Sequence, residues 1–92
     1  MTNLPSPYEV IYGDDAKKAL DKMNPNDRKR IISAIDRFAA TATPRPKPLS
    51  YEFKNEWRIR VGKRRVVFEY LDYEINDLPA VLITIIEHRN KV

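Results

Sequence analysis

Apolar and charged residues alternate from residue 56 to residue 61, directly before a glycine. Trp57, Ile59 and Val61 alternate with charged residues, which is the period of a strand with one buried face. Gly62 and Lys63 follow, and glycine in the first position of a two-residue loop is typical of a type II′ turn. The pattern therefore predicts a β-hairpin, and the turn sets the register of its two strands.

The two faces of this predicted hairpin differ in chemistry. One face is apolar and carries Trp57, Ile59, Val61, Val66, Phe68 and Tyr70; the other carries Arg58, Arg60, Arg65 and Glu69. The register places Arg60 opposite Arg65, and like charges in such a pair destabilise a sheet by up to about 1 kcal/mol. A bound anion would relieve that repulsion. The alternative interpretation is a solvated face whose basic residues oppose edge-to-edge association.

Two helices are predicted upstream of the hairpin. The first helix is predicted from about residue 15 to residue 23, because the apolar residues Ala16, Ala19, Leu20 and Met23 recur there at helical spacing. Asp14 or Asp15 is expected to be the N-cap of this helix. Asn24 as N-cap and Pro25 as first helical residue predict a second helix to about residue 40. Its core-facing residues would be Ile31, Ile32, Ala34, Ile35, Phe38 and Ala39. Its outer face would carry Asp27, Arg28, Lys29, Arg30, Asp36 and Arg37, and such a mixed-charge face is typically solvated, with phosphate contacts from residues 28–30 as the alternative.

Strands are predicted at both ends of the chain. Residues 8–12 form a short first strand, and residues 80–86 form a last strand that is apolar on both sides, as a central strand is. Three prolines make residues 41–48 an extended connector, and residues 72–79 are expected to form a loop. The fold class is therefore α+β, with a two-helix hairpin on one face of a mainly antiparallel sheet and a basic open face on the other. Residues 1–7 are expected to be a flexible tail, and residues 8–92 a single domain.

Composition narrows the range of functions. The chain has 92 residues, of which 42% are hydrophobic and 33% charged, as expected for one small folded domain. Its apolar runs are too short to span a bilayer, no signal peptide is apparent and cysteine is absent, so a cytoplasmic protein without disulfides is expected. No glycine-rich phosphate loop, metal-ligand spacing or Ser or Cys nucleophile beside a base is present, and neither a metal nor an organic cofactor is expected.

Positive charge is concentrated in the middle of the chain. The formal net charge is +4, yet the stretch from Arg45 to Arg65 holds eight basic and two acidic residues, a net charge of +6. The rest of the chain is therefore slightly acidic. A basic stretch of this kind indicates a partner with a phosphate backbone or an acidic protein partner, and does not by itself choose between them.

Several short motifs, in order, resemble the RelE/ParE superfamily of bacterial toxins, and more closely its RelE-like ribosome-dependent mRNA endonucleases. They are Ala-Lys-Lys-Ala-Leu at 16–20, Arg-Lys-Arg-Ile-Ile at 28–32, Pro-Leu at 48–49, Trp-Arg-Ile-Arg-Val-Gly at 57–62, Arg-Val-Val-Phe at 65–68 and Ile-Ile-Glu-His-Arg at 85–89. The resemblance covers about residues 8 to 91. It implies a cognate antitoxin that covers the basic surface, and cleavage of mRNA in the ribosomal A site beside 16S rRNA.

The resemblance also implies a set of site residues. Basic residues of the family match Arg58, Arg60, Arg65 and Arg89, which would hold the scissile phosphate and the transition state. Further RNA contacts are expected from Lys54, Lys63, Arg64 and Lys91. Many family members carry a tyrosine a few residues after the final arginine, whereas this sequence stops at Val92. His88, the single histidine, is the leading candidate for proton transfer, and the alternative is a strand-end residue without a catalytic role. Glu69 is a second candidate, with a surface ion pair as its alternative role.

Two other functions remain open at this point. The chain is compatible with a ParE-like toxin that inhibits DNA gyrase by binding it, because one fold can serve either activity. It is also compatible with a degenerate toxin that only binds its antitoxin. Convergence of four arginines on one face favours the nuclease, and the missing tyrosine favours the alternatives.

Overall fold

The computed structural model describes residues 8–41, 46–48 and 56–88. Along the chain the elements are β1 (Glu9–Tyr12), α1 (Asp14–Lys22), α2 (Pro25–Thr41), β2 (Lys47–Pro48), β3 (Glu56–Val61), β4 (Arg64–Ile75) and β5 (Leu78–His88). The strands form one sheet in the order β1-β5-β4-β3-β2. Among the strands of the described residues, only the β1–β5 pair is parallel, so the predicted α+β fold with a mainly antiparallel sheet is confirmed. The tail predicted at residues 1–7 lies outside the described residues.

The core lies between the helices and one face of the sheet. Its buried helical residues are Ala16, Leu20, Ile31, Ile35 and Phe38, and the strands add Ile59, Val66, Phe68, Val81, Ile83 and Ile86. Phe38 stands at its centre, with its ring centroid 5.6 Å from that of Tyr8 and 5.1 Å from that of Phe68. Burial of large side chains is the main favourable term in folding, so this layer fixes which sheet face stays uncovered. Within the described residues, no helix is both long and apolar enough to cross a membrane.

The start of α1 differs from the prediction. Gly13 is the N-cap, without a side-chain capping bond, and Asp14 and Asp15 lie in the first helical turn. The expected aspartate N-cap is therefore wrong. Gly13 donates its N–H to the carbonyl of Ile83 at 2.9 Å, and a Cβ at this position would lie only 3.2 Å from that oxygen. The two carboxylates are still favourably placed, because the helix N-terminus carries partial positive charge.

The predicted start of α2 at Asn24 is confirmed. Asn24 Oδ1 accepts a hydrogen bond from the Asp27 N–H at 2.9 Å, and its Nδ2 donates to Asp27 Oδ2 at 3.2 Å. Arg28 then reaches back to α1, donating from Nε to the Leu20 carbonyl at 3.0 Å and from Nη2 to the Met23 carbonyl at 3.1 Å. Both carbonyls lie at the C-terminal end of α1, where the Leu20 carbonyl also accepts the Met23 N–H at 3.1 Å. Arg28 therefore joins the two helices and is not simply solvated.

The β3–β4 hairpin has the predicted register. Val61 pairs with Arg64, Arg60 with Arg65 and Trp57 with Phe68. Gly62 has a φ of +61°, whereas Lys63 does not have positive φ, as a type II′ turn requires. At the outer edge, β2 pairs with β3 over two residues, so part of the predicted proline-rich connector forms a short strand.

The loop predicted at residues 72–79 is wrong. Strand β4 continues to Ile75 and β5 begins at Leu78, so a second tight hairpin replaces the loop. Its two turn residues, Asn76 and Asp77, have φ values of +54° and +64°. Positive φ at both positions is the geometry of a type I′ turn, which asparagine and aspartate tolerate better than most residues.

Candidate nucleic-acid interface

The sheet face that the helices leave uncovered is organised in rows across β3, β4 and β5. We define the open face by Arg58, Arg60, Arg65, Val67, Glu69, Ile85 and Glu87, of which Val67 is buried and the others are half-buried or exposed. One row joins Arg60, Arg65 and Glu87, and the next joins Arg58, Val67 and Ile85. Side chains two residues apart on a strand share a face, so Arg58 and Arg60 stand in adjacent rows beside Arg65. The structure therefore brings together three of the predicted phosphate ligands.

Arg65 has an acidic partner on the neighbouring strand. Its Nε donates to Glu87 Oε2 at 2.8 Å, and its Nη2 donates to the same oxygen. Both side chains are 41% exposed, so the pair is open to solvent. Glu87 thereby orients the guanidinium group and offsets part of its charge, while one edge of the group is left available to another acceptor.

A β-bulge on β5 explains why Glu87 reaches the open face. Val67 pairs with Ile85 but Phe68 pairs with Ile83, so Thr84 is an extra residue between the two pairs. The Thr84 hydroxyl donates to the Val67 carbonyl at 3.2 Å. The bulge reverses the alternation of faces along β5, because Val81 and Ile83 face the core before it and Ile86 does so after it. Without this change of phase Glu87 would face the helices.

The same bulge places His88 on the helix side of the sheet. His88 pairs with Arg64, whose Nη1 lies 3.5 Å from Asp27 Oδ2 at the start of α2. The structure therefore does not bring His88 or Arg64 together with Arg58, Arg60 and Arg65 on the open face. Glu87, one residue away, was missed by the sequence reasoning, since nothing in the pattern of residues 80–88 indicates a bulge.

The remaining predicted RNA contacts divide into two groups. Lys63 is exposed at the tip of the β3–β4 turn, next to the open face. Lys54, Arg89 and Lys91 lie outside the described residues. Lys47, which had no predicted role, pairs with Arg58 across the edge of the sheet and is exposed. The cationic surface of the described residues thus runs from the hairpin tip to β2.

Two tyrosines have strongly raised pKa values but do not belong to the open face. Burial raises the pKa of Tyr12 to about 12, with a further increase from the charge of Asp36. Burial also raises the pKa of Tyr70 to about 12, with smaller contributions from Tyr8. Both rings pack on the core side of the sheet. Each phenol is therefore protonated at neutral pH and turned away from the arginines.

Comparisons with known proteins were made by sequence and by structure. No protein-family model matches the sequence, and no curated protein sequence matches it significantly. A chain of the toxin–antitoxin complex RelBE2 from Mycobacterium tuberculosis superposes with a TM-score of 0.75 at 24% identity, over 91% of this chain and 93% of that one. A chain of the archaeal RelE–RelB complex from Pyrococcus horikoshii superposes with a TM-score of 0.67 at 18% identity, over 94% of this chain and 99% of that one. The predicted RelE-like fold is thereby confirmed, and this chain has the fold found in the toxin–antitoxin complexes of these two organisms.

Proposed function

We propose that this protein is the toxin of a toxin–antitoxin pair and that it is a ribosome-dependent endoribonuclease that cleaves mRNA in the A site. The observation that carries the proposal is the placement of Arg58, Arg60 and Arg65 in adjacent rows of one open sheet face. The shared fold with chains of RelE–RelB complexes supports a cognate antitoxin as partner. Arginine suits the task, because its planar guanidinium group forms paired hydrogen bonds to phosphate oxygens.

The reaction we propose is an intramolecular displacement at the phosphorus of the RNA backbone. The 2′ oxygen of a ribose attacks the adjacent phosphorus, a 2′,3′-cyclic phosphate forms, and the bond to the 5′ oxygen of the next nucleotide breaks. Negative charge accumulates on the phosphate oxygens in the transition state. Fixed guanidinium groups stabilise that charge more than the charge of the bound substrate, which lowers the barrier.

A proton acceptor is required for the 2′-OH, and we infer that Glu87 serves as this acceptor. Arginine is a poor base because it stays protonated at neutral pH, whereas a carboxylate is already deprotonated there and can accept the proton in the transition state. Glu87 is bonded to Arg65 on the open face, while His88 pairs with Arg64 on the other side of the sheet. Solvent would supply the proton for the departing 5′ oxygen.

The first test compares Arg65→Ala with Arg64→Ala. The two variants remove the same charge from neighbouring residues of β4, but only Arg65 lies on the open face. Loss of one preorganised donor to a developing oxyanion lowers the rate about 10²- to 10³-fold, so Arg65→Ala should abolish detectable cleavage. Arg64→Ala should retain most of it. The measurement is primer extension on a translated message after induction of each variant, with a parallel reaction that lacks ribosomes.

The outcomes separate the candidate functions. New ends within codons that need both ribosomes and Arg65 would support the nuclease. Growth arrest with an uncut message would favour inhibition of a topoisomerase such as gyrase by binding, and absence of arrest would favour a protein that only binds its antitoxin. Equal loss of cleavage in the two variants would contradict the assignment of the open face. Co-purification with the antitoxin should persist in Arg65→Ala and serves as the control for folding.

A further inference from the structure

A second cationic feature lies around the edge of the sheet from the open face. The outward side of α2 and the end of β3 enclose a groove of about 400 Å³, lined by Arg30, Ser33, Ala34, Arg37, Arg60 and Val61. Its four α2 residues recur at spacings of three and four, so they form one stripe along the helix. Arg60 belongs both to this groove and to the open face, which makes the two surfaces continuous.

The positive charge of the groove is not neutralised within the described part of the chain. Arg28, Arg64 and Arg65 each have acceptors for their guanidinium groups there. Among the described residues, the guanidinium groups of Arg30, Arg37 and Arg60 have no hydrogen-bond or ion-pair partner, and none of the lining residues in this part of the chain is a carboxylate. Three like charges around one concave surface repel each other, and a bound anion would remove that repulsion.

The lining distinguishes between a nucleic acid and an acidic protein. Protein interfaces depend on a desolvated centre with large apolar or aromatic anchors. Here the apolar lining consists of Ala34 and Val61, both small and only partly buried. Nucleic-acid interfaces are more polar and much more basic, and the Ser33 hydroxyl adds a donor suited to a phosphate oxygen.

We infer that this groove binds the phosphodiester backbone of single-stranded RNA. Arg30 and Arg37 hold phosphates of the same strand whose neighbouring nucleotides lie on the open face, and Arg60 is shared by the two surfaces. The inference rests on the proposed function for the identity of the RNA. It extends the contact surface from the sheet to the side of α2 that carries Arg30 and Arg37, which the sequence pattern assigns mainly to solvent.

The test measures RNA binding without cleavage and without ribosomes. The probe is a fluorescent oligouridylate whose riboses carry 2′-O-methyl groups, so that the attacking hydroxyl is blocked. Each phosphate contact on a single strand contributes about 0.7 to the slope of log affinity against log salt concentration. The double variant Arg30→Gln/Arg37→Gln should therefore reduce that slope by about 1.4 and weaken binding at low salt.

The matched control is Lys17→Gln/Lys18→Gln. It removes two positive charges from exposed positions on α1, outside the groove. If the lysine variant changes the slope as much as the arginine variant does, or if the wild-type protein does not bind the probe, the inference is overturned. It is also overturned if the arginine variant loses affinity for a polyglutamate peptide and keeps its affinity for the RNA, because an acidic protein would then be the partner.

Failure of the groove and failure of the nuclease can be told apart. RNA binding that depends on Arg30 and Arg37, together with an uncut translated message, would support the groove and contradict the nuclease. Normal cleavage by Arg30→Gln/Arg37→Gln, together with an unchanged salt slope, would contradict the groove and support the nuclease. Far-ultraviolet circular dichroism of each variant shows whether the helices are intact, and both arginines are exposed, so folding should be preserved.

Discussion

The arginines of the described residues differ in whether their guanidinium groups have a partner. Arg28 holds α1 against α2 by donating to the Leu20 and Met23 carbonyls. Arg64 holds β4 against α2 through its ion pair with Asp27. Arg65 has an acidic partner but stays half exposed. The guanidinium groups of Arg58 and Arg60 have no partner among the described residues, so within this part of the chain no ion pair has to break before they bind an anion.

Replacement of Glu87 by glutamine tests the proposed proton acceptor. The amide oxygen of glutamine can still accept hydrogen bonds from Arg65, but the side chain can no longer take up a proton at neutral pH. We expect Glu87→Gln to lower the cleavage rate about 10²-fold, which is at the lower end of the usual contribution of a general base. Affinity for RNA should rise slightly, because one negative charge leaves the cationic face.

The comparison for this prediction is His88→Gln, a neighbouring residue on the opposite side of the sheet. Single-turnover cleavage on programmed ribosomes gives the rate for each variant, and binding of the 2′-O-methyl RNA gives the affinity. If His88→Gln abolishes cleavage and Glu87→Gln does not, proton transfer belongs to His88 and the proposed role of Glu87 is wrong.

The positions of Glu87 and His88 at the site could not be predicted from the sequence, whereas those of three arginines could. The turn at Gly62 determined the β3–β4 register, so the rows of Arg58, Arg60 and Arg65 could be predicted. The β4–β5 register depends on the bulge at Thr84, and an apolar strand has no alternation from which a bulge could be detected. The partner of Arg65 and the side of His88 therefore required the structure.

The two β-hairpins form their two-residue turns with different residues and different backbone conformations. The first relies on glycine, with positive φ at Gly62 alone, whereas the second places Asn76 and Asp77 at positive φ. Left-handed backbone costs most residues about 1–2 kcal/mol, and asparagine and aspartate less. The sequence predicts a loop here because residues 72–79 contain two aspartates, an asparagine and a proline, all common in loops.

Replacement of Asp77 by glycine should stabilise the protein. Asn-Gly is the preferred pair for a type I′ turn, and glycine adopts the observed φ of +64° without steric cost. We expect Asp77→Gly to raise the free energy of unfolding by about 0.5–1 kcal/mol, and Asp77→Ala to lower it by a similar amount. Both variants remove the same charge, so their difference in urea unfolding isolates the backbone. Equal stability of the two would contradict the turn geometry.

At the scale of the whole molecule, most of the fold could be predicted because local patterns agree with the tertiary arrangement. The helical stripe at Ala16 and Leu20, the cap at Asn24 and the alternation from Trp57 to Phe68 all place apolar residues in one layer. The parallel pairing of β1 with β5 could not be predicted in this way, since it joins residues near opposite ends of the described chain. The fold that this chain shares with chains of RelE–RelB complexes depends on this apolar layer. The arginines of the open face do not determine it.

The core layer has a consequence for stability at alkaline pH. Folding raises the pKa of Tyr12 and of Tyr70 from an ordinary value of 10.0 to about 12, chiefly because burial disfavours the phenolate. Between these values the unfolded chain has lost protons that the folded chain keeps, so the free energy of unfolding falls as pH rises. Both side chains lie against the same core cluster, so the loss affects the molecule as a whole.

We therefore expect the free energy of unfolding to decline from about pH 10 upward, and more shallowly in the double variant Tyr12→Phe/Tyr70→Phe. Phenylalanine keeps the ring in the core and removes the titrating hydroxyl, so the part of the decline that comes from these two residues disappears. Tyr73→Phe is the control, because Tyr73 is 55% exposed and lies outside the core. Urea unfolding at a series of pH values between 8 and 11 measures the slope for each protein. A slope in the double variant equal to that of the wild type would mean that the two phenols are not buried against the sheet as described.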